Sequence, residues 1–114
     1  MAKEKKELLG ELEELALLAL MKLGSDSYGV PIHQTIEDAT GRFISIGSIY
    51  ATLDKLERNG FVSSRMGEAT AERGGRAKKY FKIEGAGMKA LKEAEQIRRA
   101  IMPNLKWQPA GGRS

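Results

Sequence analysis

Three hydroxyl side chains, Ser45, Ser48 and Thr52, follow one another at helical spacing, with Tyr50 and Lys55 among them. The same stretch carries the apolar series Ile49, Leu53 and Leu56 at i, i+4 and i+7. If that series faces a core, then Ser48, Tyr50, Ala51, Thr52 and Lys55 flank or oppose it. Small and hydroxyl side chains near a helix N-terminus let its backbone sit close to a duplex, and the hydroxyls can donate to phosphates or base edges. The Tyr50 phenol could donate to a phosphate, or its ring could lie half-buried against a neighbouring hairpin. A capped surface helix is the plainer alternative for the whole stretch.

A second group surrounds Gly74-Gly75, with Arg73, Arg76, Lys78 and Lys79 on either side. Adjacent glycines allow a thin tip that can approach a backbone or enter a minor groove. Cations clustered beside such a tip would neutralise phosphates. A flexible solvated loop is the alternative.

Catalytic chemistry has little to stand on, and we expect no enzyme, no metal site and no cofactor. His33 is the single histidine, there is no cysteine, and no carboxylate cluster is spaced for a metal. His33 reads as a surface helix residue, and the Glu pairs near residue 13 as a solvated face. Gly85-Ala86-Gly87-Met88-Lys89-Ala90 imitates a dinucleotide fingerprint. That site needs a following parallel strand and an acid about 20 residues on. No Asp or Glu follows Glu95, so these glycines are read as the start of a helix.

The chain of 114 residues fits one domain with a modest core. Its net charge of +4 is unevenly spread. Residues 1–40 carry four Lys/Arg against eight Asp/Glu, residues 41–82 nine against four, and residues 83–114 six against three. The basic charge gathers in the middle, as on a surface that meets a polyanion, although a lopsided solvated surface would look the same. No apolar run is long enough to span a membrane. The leucine-rich N-terminal stretch is broken by Glu11, Glu13 and Glu14 and lacks a small-residue cleavage site, so it does not read as a signal peptide. The lack of cysteine fits a reducing cytoplasm.

The elements that must carry these groups follow from periodicity. Leu8, Leu12, Leu15, Ala19 and Leu23 predict a helix over 7–23, ended by Gly24. Residues 15–21 are apolar all round, which predicts cover from more than one side. Ser25 to Ser27 supply turn and N-cap chemistry for a second helix over 28–39, with Pro31 near its first turn. Ser45 caps a third helix over 46–59, and Gly60 stops it. Residues 61–66 and 77–83 read as two strands of a hairpin, with Lys79, Phe81 and Ile83 on one face. Met88, Leu91, Ala94, Ile97 and Ile101 predict a last helix over 85–101, near a coiled-coil period. Pro103 then breaks the pattern, and Gln108 to Ser114 read as a loose tail.

The order helix, helix, helix, hairpin, helix describes a mainly α chain with a two-stranded β wing, a winged helix-turn-helix plus a C-terminal dimerisation helix. We expect the DNA-binding part at 1–84, the dimerisation helix at 85–102 and a tail at 103–114. The expected dimer interface pairs Leu8, Leu12, Leu15 and Ala19 with Leu91, Ala94, Ile97 and Ile101. Two recognition helices would then enter successive major grooves of a pseudo-palindromic site, about 34 Å apart. Winged helices also serve as protein-interaction modules, in which case the basic wing would be ordinary surface.

At several of these positions the chain resembles the PadR family of bacterial transcriptional regulators. The matching pieces are Leu-Leu-Gly-Glu-Leu-Glu at 8–13, Tyr28-Gly29, Gly47-Ser48-Ile49-Tyr50-Ala51-Thr52-Leu53, Leu56-Glu57 and Gly60-Phe61-Val62. Arg73-Gly74-Gly75-Arg76-Ala77-Lys78-Lys79-Tyr80-Phe81 completes them as the wing. The short last helix is similar to the compact branch of the family. The chain departs from the pattern at Pro31, at Phe81 in place of a frequent tyrosine, and at Glu84 in place of a threonine, which leaves the last helix less well capped. The resemblance implies a dimeric repressor of double-stranded DNA that is released by a small-molecule effector. In the family, aromatic side chains between subunits can line the effector pocket. Trp107 is the single tryptophan here, and packing on the dimer or a place in the free tail are its other readings.

Overall fold

The computed structural model describes residues 7–67 and 77–103. Seven elements follow in order: α1 (Glu11–Lys22), β1 (Asp26–Tyr28), α2 (Gly29–Thr40), α3 (Ile46–Arg58), β2 (Val62–Met66), β3 (Lys79–Ile83) and α4 (Gly85–Ile101). The three strands form one antiparallel sheet in the order β1-β3-β2. Phe81 at the centre of β3 pairs with Ser27 on one side and Ser64 on the other.

The helices begin and end where local chemistry allows. Helix α1 starts four residues later than its apolar period suggests, because Gly10 serves as the N-cap. The Glu13 carboxylate accepts from the Gly10 N–H at 2.7 Å, and Glu11, Glu13 and Glu14 all sit in the first turn, where the helix dipole favours anions. Pro31 falls in the first turn of α2, where a missing N–H costs nothing. Ser45 caps α3 as expected, its hydroxyl accepting from the Ser48 N–H at 3.1 Å. Glu84 makes no cap bond for α4. It accepts instead from the Ser63 hydroxyl of β2, which ties the helix entry to the sheet.

The core draws on every element except β1. Ala16, Leu17, Ala19 and Leu20 of α1 meet Ile32 and Ile36 of α2, Ile49, Leu53 and Leu56 of α3, Val62, Phe81 and Ile83 of the sheet, and Leu91 of α4. Helix α1 lies at the centre, against α2, α3, α4, β1 and β3. Its apolar stretch is covered from several sides within one chain, although Leu18 and Met21 stay exposed. Ala19 and Leu91, assigned to the dimer interface from sequence, are buried in this core and face inward.

A further expectation changes. The wing has a third strand, since residues 26–28, read as turn and N-cap, pair with β3. The dinucleotide-like glycines open α4, as expected, and Gly87 packs closely besides: a Cβ there would overlap the Phe61 carbonyl. Among the described residues, no helix is long and apolar enough to cross a membrane.

Candidate nucleic-acid interface

Helix α3 turns Ile49, Leu53 and Leu56 into the core and leaves Gly47, Ser48, Ala51, Asp54, Lys55 and Arg58 exposed on the far side. Ser45 and Ser48 share a hydroxyl–hydroxyl hydrogen bond of 2.8 Å at the exposed helix entry. Thr52 is half-buried at the margin of that face. The far side of α3 is therefore a small-residue surface with hydroxyls at its N-terminal end and cations toward its C-terminal end.

Tyr50 has a positioning role that its sequence did not announce. Its ring lies directly over Gly29 at the start of α2, where any Cβ would collide with it. The contact sets the approach of α2 and α3 and explains why a glycine opens α2, while the residue stays partly exposed at 38%.

The turn between α2 and α3 is pinned at several points. Gly41 takes a left-handed conformation, φ +67°, and its N–H donates to the Glu37 carbonyl at 2.8 Å. The Glu37 carboxylate accepts from the Ile44 N–H at 3.0 Å. His33 Nε2 donates to the Ile44 carbonyl at 2.6 Å and stands 3.3 Å from Glu37. This corrects the surface reading of His33, which is a part-buried tie between α2 and the entry to α3.

Several cations are engaged inside the chain. Lys79 reaches Asp54 at 3.8 Å and Glu57 at 3.7 Å, with its ammonium 5.4 Å from the Phe81 ring centre. It thus ties the wing to the exposed edge of α3 and offsets two carboxylates there, a different role from a free phosphate contact. Lys55 stands 3.1 Å from Glu13 of α1, so it too begins from an ion pair. Lys78 lies over the Tyr28 ring at 4.6 Å. Tyr28 meets Tyr80 edge-on at 5.4 Å, and Arg65 lies 4.7 Å from the Tyr80 centre while holding Asp26 at 2.8 Å. This chain of stacked cations and rings crosses β1, β3 and β2 and stiffens the base of the wing. Arg73, Gly74, Gly75 and Arg76 lie outside the described residues, as does Trp107.

Sequence reasoning passed over Arg42, Arg58 and Arg65. The first sits in the α2–α3 turn, just ahead of the Ser45 cap, and its position there was a usable signal. Arg58 extends the exposed face of α3 by one turn beyond Lys55, also at a readable spacing. Arg65 needed the strand register, which pairs it with Tyr80.

An open groove of about 1050 Å³ runs between the N-terminal end of α1 and α4, with Lys55, Asn59 and Phe61 also lining it. Leu8, Ala94, Ile97 and Ile101 line it, with Leu8 and Ile101 each 76% exposed and Ile97 43% exposed. Leu12 and Leu15 are half-buried nearby on α1. Arg98 spans the groove to Glu14, at 2.6 Å and 3.3 Å through two nitrogens. That hydrogen bond, with the charge of Glu14 behind it, holds the guanidinium pKa above its ordinary value. Among the described residues no group of His, Asp and Glu is placed to hold a metal ion.

Residues 17–93 match the transcriptional regulator PadR-like family. A PadR family transcription regulator from Clostridium difficile is 24% identical, with a TM-score of 0.67 over 81% of this chain and 91% of that one. A transcriptional regulator from Clostridium thermocellum is 28% identical, with a TM-score of 0.63 over 83% and 90%. F93 from STIV, a winged-helix DNA-binding protein, is 22% identical and shares the fold, with a TM-score of 0.61 over 82% and 92%. No match was found among proteins of curated function.

Proposed function

We propose a dimeric repressor that reads duplex DNA with α3 and its wing, and the premise is that the chain belongs to the PadR-like family of transcriptional regulators. It is a regulator and not an enzyme. The observation that carries the finer reading is the tie between wing and helix. Lys79 of β3 holds Asp54 and Glu57 of α3, so the small-residue face of the helix and the root of the basic wing form one continuous surface. Ser48 and the margin residue Thr52 read or fit base edges, while Arg42, Arg58 and the wing cations neutralise phosphates.

The dimer is formed along the groove between α1 and α4, with Leu8, Leu12, Leu15, Ala94, Ile97 and Ile101 meeting their counterparts across a two-fold axis. Support comes from the exposed apolar side chains gathered there, since a contiguous apolar surface on a small chain marks an interaction site. Two copies would present their α3 helices to successive major grooves of a pseudo-palindrome, about one turn apart. In this reading α4 is the dimerisation segment, a small-molecule effector releases the repressor, and its place of action is the cytoplasm.

Selection from a randomised duplex pool tests the reading. It predicts enrichment of one inverted-repeat motif, bound by two copies of the chain. Enrichment of no motif would favour a protein-interaction module instead.

A further inference from the structure

Phe43 is 87% exposed, the largest exposure of any large apolar side chain among the described residues. A single exposed apolar residue needs no explanation, but this one is unusual in how it is held. On its N-terminal side, the Thr40 hydroxyl donates to the Ile36 carbonyl at 2.9 Å and accepts from the Arg42 N–H at 3.2 Å. On its C-terminal side, Ile44 is clamped through both its N–H and its carbonyl to Glu37 and His33, and its side chain packs on the core. The backbone is thus fixed immediately before and after a ring that the fold leaves in solvent.

Its surroundings point to one kind of partner. Three residues on, Ile46 opens α3 and is itself 41% exposed, followed by Gly47 and, one turn later, the exposed methyl of Ala51. Arg42, next to Phe43, is exposed and meets no carboxylate among the described residues. The Ser45 and Ser48 hydroxyls lie between these apolar groups at the helix entry. An apolar pad ringed by a free cation, hydroxyls and the positive end of a helix suits a surface that is anionic at its rim and apolar at one point. The major-groove edge of a thymine is such a point, because its C5 methyl projects between two phosphate rails. Fixing the backbone that carries the ring reduces the ordering cost of the contact.

We infer that Phe43, with Ile46 beside it, is a specificity-determining contact that reads a thymine methyl group at the edge of each half-site. The inference rests on the DNA-binding reading above and adds a base preference that neither the α3 hydroxyls nor the wing would supply. Only Ile44 separates Phe43 from the Ser45 cap, a span of at most about 7 Å, so both can meet neighbouring base pairs.

The test uses the duplex selected from the random pool, resynthesised with deoxyuridine at each thymine in turn, which deletes only the methyl. Fluorescence anisotropy is read for the full chain and for Phe43→Ala and Phe43→Leu. At one thymine per half-site, uridine should weaken the unaltered protein about fourfold, the worth of one buried methyl. Phe43→Ala should bind the thymine duplex as weakly as the uridine one, with its salt slope unchanged, while Phe43→Leu keeps part of the discrimination. Equal binding to every uridine duplex by a protein that still prefers its selected sequence would overturn the inference and leave the regulator reading standing. Full thymine discrimination by Phe43→Ala would also overturn it, as would a shift in sedimentation without a change in base preference, which would make the pad a contact between chains. Failure to select any sequence would remove both readings together.

Discussion

At the scale of single residues, the account depends on close contacts that fix where the helices stand. Gly29 lies under the Tyr50 ring, so Gly29→Ala should destabilise the chain by about 1–3 kcal/mol through overpacking. Adding Tyr50→Ala removes the colliding ring, and the double variant should be more stable in urea unfolding than the sum of the single losses. Simple additivity would show that the two residues do not constrain each other. Lys79 belongs to the same scale. Lys79→Ala would leave Asp54 and Glu57 uncompensated on the face proposed to meet phosphates. It should weaken selected and competitor duplexes by similar factors, and Asp54→Asn in the same background should restore part of the loss. These pairings were invisible in the sequence, because Lys79 is separated from Asp54 by a strand and a loop whose register the residues alone do not reveal. His33 was misread for a related reason. Its partner, the Ile44 carbonyl, is a backbone atom in the next turn.

At the scale of elements, the helices were legible where apolar period and cap chemistry agreed. Helix α3 begins at the Ser45 cap and α4 covers residues 85–101, as periodicity indicated. Helix α1 was extended too far because Leu8 continues its period, while Gly10 and Glu13 supply the better cap. Strand β1 is three residues long, too short to show alternation, and forms only because β3 offers it a free edge. Ser45→Ala should cost about 1 kcal/mol by removing the cap, read from the urea midpoint. The division of labour between helix and wing is also an element-level claim. Ser48→Leu should abolish preference for the selected duplex while leaving weak, salt-sensitive binding to any DNA. Arg76→Ala, at a position outside the described residues and proposed to contact phosphate, should weaken both duplexes alike and lower the salt slope by about one unit per lost contact per subunit. Identical fingerprints for these two variants would mean that helix and wing do not divide recognition in this way.

At the scale of the whole molecule, the apolar groove is itself rimmed by charge, since Glu13, Glu14, Lys55 and Arg98 line it. The acidic N-terminal third and the basic middle, visible in the sequence, correspond to α1 and to the α3–wing surface. The groove beside α1 and α4 carries the exposed Leu8, Ile97 and Ile101. Its apolar seam was legible from the α4 period. The inward place of Ala19 and Leu91 was not, because one helix stripe can serve a core and an interface at neighbouring positions. Ile97→Asp would bury an unpaired charge in the proposed interface, so sedimentation should shift to monomer and operator binding should fall. An unchanged dimer would put the interface elsewhere.

Sequence-specific recognition of duplex DNA by this surface is what the proposed function requires. Its most direct measurement is a competition titration of the unaltered protein, at several salt concentrations, between the selected duplex and a random one. The preference for the selected duplex should persist across the series. Affinity for both should fall linearly with log salt, with a slope of about −0.9 for each phosphate neutralised. Equal affinity for the two duplexes, or binding indifferent to salt, would contradict it.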